Sequence, residues 1–184
     1  MLIGNQMKNL FLILSLICLS ELQAENLFAG FNVKKDWKIK KTSEYSKIKP
    51  VYKKGEIGFV TKHTSERSYL RITTEKDLKA GKTYDLTFNV KAQGEGQVYV
   101  AYSASLPERK VQVLGLRSSF SAAPQWKTYK CTFTVPKKNE SATAANFMVA
   151  IGEFKGKFNL KQVKLVKSTH TGKLSKNGLI QEVK

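Results

Sequence analysis

The sequence predicts an all-β protein, an antiparallel two-sheet β-sandwich of jelly-roll type with eight to ten strands. Three observations carry that expectation. Beyond residue 24, apolar side chains recur with a period of two rather than 3.6. The alternating runs are rich in β-branched and aromatic residues and are bounded by glycine-containing turn segments. No segment carries a convincing helical pattern. Strands with one apolar and one polar face are antiparallel strands that pack a core on one side and meet water on the other. Two such sheets face to face make a sandwich. A length of 184 residues, 41% of them hydrophobic and 10% aromatic, suffices for one domain with a core of its own.

The chain opens on an address. Lys8 and Asn9 lead into the apolar run Leu10 to Leu19, followed by Ser20 to Ala24. A basic start, an apolar stretch of about ten residues and a small residue at the break describe a secretory signal peptide cleaved after Ala24. The run is shorter than the roughly 20 residues that span a bilayer, so no transmembrane segment is expected. Cys18 raises a lipoprotein anchor, but Ile17 precedes it where a small residue belongs. The expected location is therefore outside the cytoplasm, either secreted or in the periplasm or cell envelope.

Residues 25 to 54 are less regular and read as short strands and loops that close the sandwich. Strands follow at Glu56 to His63, Ser68 to Thr74, Thr83 to Ala92 and Gln97 to Ser103. Further strands are expected at Val111 to Arg117, Lys127 to Val135, Asn146 to Gly152 and Lys157 to Val166. In the third of these, Tyr84, Leu86, Phe88, Val90 and Ala92 share one face, with Asp85, Thr87, Asn89 and Lys91 on the other. Gly94-Glu95-Gly96 reads as a turn, as do Ala80-Gly81-Lys82 and Gly152 to Gly156. Cys131, the one cysteine left after cleavage, alternates in step with Tyr129, Phe133 and Val135 and is expected to be buried and inert. The tail, residues 168 to 184, is polar and expected to be mobile, with room for a short strand at Leu179-Ile180. The sandwich itself then spans residues 25 to 167.

The order of these pieces resembles the CenC-type carbohydrate-binding modules, galactose-binding-domain-like jelly rolls that accompany secreted polysaccharide hydrolases. Asn26 to Phe31 followed by Trp37 is similar to that family's opening strand. Leu78 to Ala92 is similar to its central segment, Trp126 to Pro136 to its tryptophan-led strand, and Phe158 to Val166 to its closing strand. The resemblance implies a non-catalytic module whose partner is a polysaccharide or oligosaccharide. Family members can also hold a structural calcium through an acidic residue on the closing strand and acidic residues after the opening motif. Here those positions carry Lys161 and Asn32, and an ammonium opposes a hard cation that wants several carboxylate oxygens. No metal or other cofactor is expected.

Binding sugar calls for flat aromatic surfaces against C–H faces and planar polar groups for hydroxyls. Trp37 and Trp126, at strand entries, read as packing residues, and Tyr84, Phe88, Tyr129 and Phe133 as core. The outward positions are more telling. Tyr69, Arg71, Asn89, Lys91, Tyr99 and Arg117 all stand opposite core-facing neighbours, and they would line one groove if their strands shared one sheet; the alternative is a plain solvated sheet face.

Charge narrows the ligand. Lys and Arg number 32 against 14 Asp and Glu, a formal +18, and only four of the 32 are Arg. Loss of Lys8 and Glu21 with the first 24 residues leaves that charge unchanged. Such a field attracts polyanions over long range, and lysine favours diffuse, salt-sensitive attraction. A polyanionic polysaccharide is thus within the expected ligand class. No pair of carboxylates, metal-ligand spacing, nucleophile elbow or phosphate loop points to catalysis, and His63 reads as a surface residue. Specific nucleic-acid binding has charge as its sole support. The alternative from another class is an envelope adhesion or assembly protein using the sandwich for protein contacts. The oligomeric state stays open.

Overall fold

The computed structural model describes residues 25–29, 32–62, 69–121 and 123–183. Residues 1–24, with the expected signal peptide, lie outside the described residues, as do Phe31 and His63. A one-turn helix, α1 (Val33–Asp36), precedes ten strands: β1 (Lys38–Lys41), β2 (Val51–Lys53), β3 (Glu56–Thr61), β4 (Leu70–Glu75), β5 (Thr83–Ser105), β6 (Val111–Ser121), β7 (Lys127–Thr134), β8 (Asn146–Ala150), β9 (Phe154–Lys167) and β10 (Leu179–Val183). All pairings are antiparallel. The expected β-sandwich class holds.

The two layers share one strand. The first half of β5 pairs with β7 and β9, and the second half with β6 and β8. Sheet A therefore runs β1-β4-β8-β5-β6, and sheet B runs β2-β3-β9-β5-β7-β10. Gly94-Glu95-Gly96, expected to be a turn between two strands, is instead the point where one 23-residue strand passes from one sheet to the other. The reason is steric. Gly94 (φ +151°) faces Gly156 (φ +142°) on β9, and a Cβ at Gly94 would stand 2.0 Å from the Lys155 carbonyl oxygen and 2.8 Å from the Gly156 Cα. Without side chains the two backbones cross in contact and the ladder bends rather than ends.

Period-two patterning fills the space between the sheets. Phe88, Val90, Leu86 and Tyr84 point inward from sheet B, and Val98, Val100 and Tyr102 from sheet A, all nearly inaccessible. Tyr102 stacks on Phe147 with ring centroids 4.5 Å apart and meets Phe133 at 5.8 Å. Its hydroxyl donates to the Lys76 carbonyl (2.8 Å) and accepts from the Leu78 N–H (3.1 Å), while Tyr84 Oη accepts from the Lys79 N–H (3.2 Å). Two core tyrosines thus pin the loop that leads into β5. Cys131 is fully buried, as expected, and burial pushes its thiol up to about 12.

The C-terminal segment contains the short strand for which the sequence left room at Leu179-Ile180, extended to Val183. Strand β10 pairs with β7 over five residues, Lys127 Nζ lies 2.7 Å from Glu182, and the Arg117 N–H donates to the Asn177 carbonyl at 3.0 Å. Its weak alternation reflects an edge strand with one neighbour and little core beneath it: Ile180 alone packs against the core, beside a flank left exposed. Among the described residues no helix is long and apolar enough to cross a membrane.

Candidate functional site: the outer face of sheet A

The candidate site is built by register. Arg71 on β4, Ala150 on β8 and Tyr99 on β5 stand abreast, followed by Ser119 on β6. The next row is Thr73, Met148, Ala101 and Arg117, and the next Asn146, Ser103 and Val113. Neighbouring strands lie about 4.8 Å apart, so Arg71 and Tyr99 face each other over roughly 10 Å with Ala150 between them. Small side chains along the middle strands leave an open trough of about 380 Å³, lined by Tyr99, Ala101, Val113, Arg117, Met148 and Ala150 among others.

Its polar groups are held in place, the arginines without a carboxylate partner among the described residues. The Arg71 guanidinium lies 4.3 Å from the centroid of the Tyr69 ring, a ring that is 42% exposed. One Nη of Arg71 donates to Met148 Sδ at 3.5 Å, a weak acceptor, and the buried Nε has no hydrogen-bond partner among the described residues. Neither Arg71 nor Arg117 has a carboxylate partner there. Tyr99 Oη lies 2.7 Å from Gln97 Oε1 and 3.0 Å from Glu153 Oε2. The hydrogen bond to Glu153 raises its pKa above the ordinary tyrosine value. The ring is thereby fixed as a flat wall with its hydroxyl anchored. On β1, Lys40 is abreast of Arg71 and Lys38 of Thr73, extending positive charge along the same face.

Four of the six residues singled out from the sequence, Tyr69, Arg71, Tyr99 and Arg117, therefore meet on one face. Asn89 and Lys91 do not. They precede the crossing at Gly94–Gly96 and so sit on the outer face of sheet B, the opposite side of the sandwich. There Asn89 donates to Gln162 and accepts from Thr128 Oγ1. Trp37 is buried, as read from the sequence, but Trp126 is half-buried and carries the Lys161 ammonium 3.9 Å from its ring centroid. Gln112 is engaged away from the trough, with Lys137 and Asn139.

Sequence reasoning missed Met148, Ala150, Ala101, Val113 and Glu153. A signal for the first two existed. In Asn146 to Ala150, Phe147 and Val149 face the core, yet two of the three alternate positions, Met148 and Ala150, are apolar as well, and an antiparallel strand largely apolar on both faces has a second face with something to meet.

Residues 26–157 match the model of a carbohydrate-binding domain family, CBM_4_9. The chain belongs to this family. Among solved structures the carbohydrate-binding domain is similar to a CBM4 module, with a TM-score of 0.59 at 16% identity over 75% of this chain and 90% of that one. It is also similar to the N-terminal cellulose-binding domain of Cellulomonas fimi β-1,4-glucanase C, with a TM-score of 0.54 at 13% identity over 74% and 91%. A third likeness is to the CBM22-2 xylan-binding domain of Paenibacillus barcinonensis Xyn10C, at 0.51 and 12% identity over 78% and 98%. At these identities the likeness is one of fold. No curated protein matches the chain by sequence. A calcium ion of the kind the family resemblance implies does not fit the residues present. Lys161 puts an ammonium there, Asn32 Oδ1 accepts from the Lys34 and Lys35 N–H groups, and no three His, Cys, Asp or Glu side chains converge among the described residues.

Proposed function

We propose that this carbohydrate-binding domain is an exported, non-catalytic module that holds a polysaccharide chain across the outer face of sheet A and favours chains bearing carboxylates. The observation that carries the reading is the row Arg71–Ala150–Tyr99: an aromatic wall and a guanidinium with no carboxylate partner among the described residues, on either side of a floor too small to obstruct a sugar ring. A pyranose C–H face packs on Tyr99, and Arg71 and Arg117 offer bidentate donors that match a planar carboxylate. The binders of cellulose and xylan that share the fold support a chain-binding role for it. Export rests on the character of residues 1–24.

The test is isothermal titration of oligosaccharides, neutral and uronate-bearing, into the protein and its Tyr99→Ala and Arg71→Ala variants. Tyr99→Ala is expected to weaken the neutral and the uronate-bearing oligosaccharides at least about tenfold, a loss of roughly 1.4 kcal/mol. Arg71→Ala is expected to weaken the uronate ligands more than the neutral ones. Unchanged affinity in both variants would remove sheet A as the site.

A further inference from the structure

A second cleft, of about 710 Å³, shares no residue with the sheet A trough. It opens between the β2–β3 hairpin, α1 and the middle of β9, and Lys34, Lys53, Lys54 and Lys161 line it together with Tyr52 and Glu56. Its size is that of a small-molecule site. The charge is one-sided. Glu56 is the single acidic residue of the lining, and it lies 3.9 Å from Lys161 Nζ, while Lys34, Lys53 and Lys54 have no ion-pair partner among the described residues.

The backbone bends unusually to make this cleft. Among the described residues four non-glycine residues have positive φ, and two of them, Lys54 (φ +38°) and Gln162 (φ +52°), line it. Lys54 heads the tight hairpin turn with Gly55, and Gln162 is the extra residue where the β5–β9 register slips between Thr87 and Asn89. Conformations that disfavour side chains cluster where a site requires them. The turn carries two adjacent lysines to the cleft mouth, and the bulge brings Lys161 and Gln162 to its floor. Tyr52 adds an aromatic wall.

From the clustered lysines and the two left-handed residues that present them, we infer that this cleft is a second binding site, specific for sulfate or phosphate esters carried on a glycan. Lysine ammoniums are compact point charges with rotating donors, suited to a tetrahedral oxyanion approached from several sides. The arginine forks of sheet A suit a planar carboxylate instead. The two faces then read different substituents of an acidic polymer.

Dextran oligosaccharides of one length, left neutral or made sulfated, phosphorylated or carboxymethylated, test this by calorimetry at moderate salt. The full protein is expected to bind the sulfated or the phosphorylated form, or both, more tightly than the carboxymethylated one, and the comparison of the two ester arms tells which the cleft takes. A Lys34→Gln/Lys53→Gln/Lys54→Gln variant is expected to lose at least about tenfold in ester affinity. A charge-matched Lys79→Gln/Lys137→Gln/Lys173→Gln variant should lose less than about threefold. Equal losses in the two triple variants would show attraction by overall charge and overturn the site, as would absence of ester binding by the full protein. Because Tyr99→Ala should leave ester binding within about twofold, the result stands or falls apart from the sheet A reading.

Discussion

The outer faces of the two sheets are made of similar strands and end in opposite conditions. On sheet B the central outward groups engage one another. Asn89 bridges Gln162 and Thr128, Asp85 holds Thr132 Oγ1 at 2.7 Å and Lys130 Nζ at 2.9 Å, and Lys161 lies on Trp126. On sheet A the central outward residues are Ala101, Ala150 and Ser103, too short to reach their neighbours. Tyr99 and Arg117 consequently border a trough rather than cover it, and Arg71, stacked on Tyr69, stands on the same face across Ala150. Polar side chains that satisfy each other stiffen a surface. Those with no partner keep their hydrogen-bonding capacity for a ligand, which is why sheet A carries the proposed polysaccharide site and the centre of sheet B does not.

The contrast between the faces depends on β5 changing sheets, so the sharpest way to break it is at the crossing. Gly94→Ala places a methyl group against the Lys155 carbonyl at a backbone angle that alanine avoids, and should cost about 3–5 kcal/mol. Urea unfolding would show it as a lower midpoint.

The shared interior comes next. Cys131 on the sheet B side has its thiol pushed up to about 12 by burial, against an unfolded value near 9. Below pH 9 the thiol is protonated in both states and the contribution is constant. Between about pH 9 and 12 the unfolded chain releases the proton first, so stability falls as pH rises, by at most about 1.4 kcal/mol per pH unit. Unfolding measured at pH 8 and pH 11 should show that decline, and Cys131→Ala should lessen it, leaving the part due to the buried hydroxyls of Tyr102 and Tyr129, whose pKa burial also raises. On the sheet A side, Tyr102→Phe strips the Lys76 carbonyl and the Leu78 N–H of their partner and should cost about 1–3 kcal/mol, read as a lower Tm with the sugar sites unchanged.

Smaller still is the effect that separates the faces directly. Asn89→Ala and Lys91→Ala should leave oligosaccharide affinity within about twofold in the titration where Tyr99→Ala loses at least about tenfold. A loss at Asn89 comparable to that at Tyr99 would place sugar on sheet B and reverse the comparison.

The long strands beyond residue 55 and the face each of their residues presents were legible in the sequence, because the division between core and water is imposed locally with period two. Alternation alone put Phe88 inside and Asn89 outside, Val98 inside and Tyr99 outside, and it marked Cys131 as core. The excess of lysine and the ordered set of family-like segments were equally plain. Which outward residues are neighbours was decided by tertiary structure alone. Arg71 and Tyr99 are aligned through Ala150, a residue far from both in the chain, and no local pattern encodes a pairing among three distant segments. The fate of Asn89 and Tyr99, ten residues apart on one strand, turned on whether Gly94-Glu95-Gly96 reverses the chain or carries it across. Glycine permits both, and the choice was made by Gly156, brought opposite Gly94 through the β9 ladder.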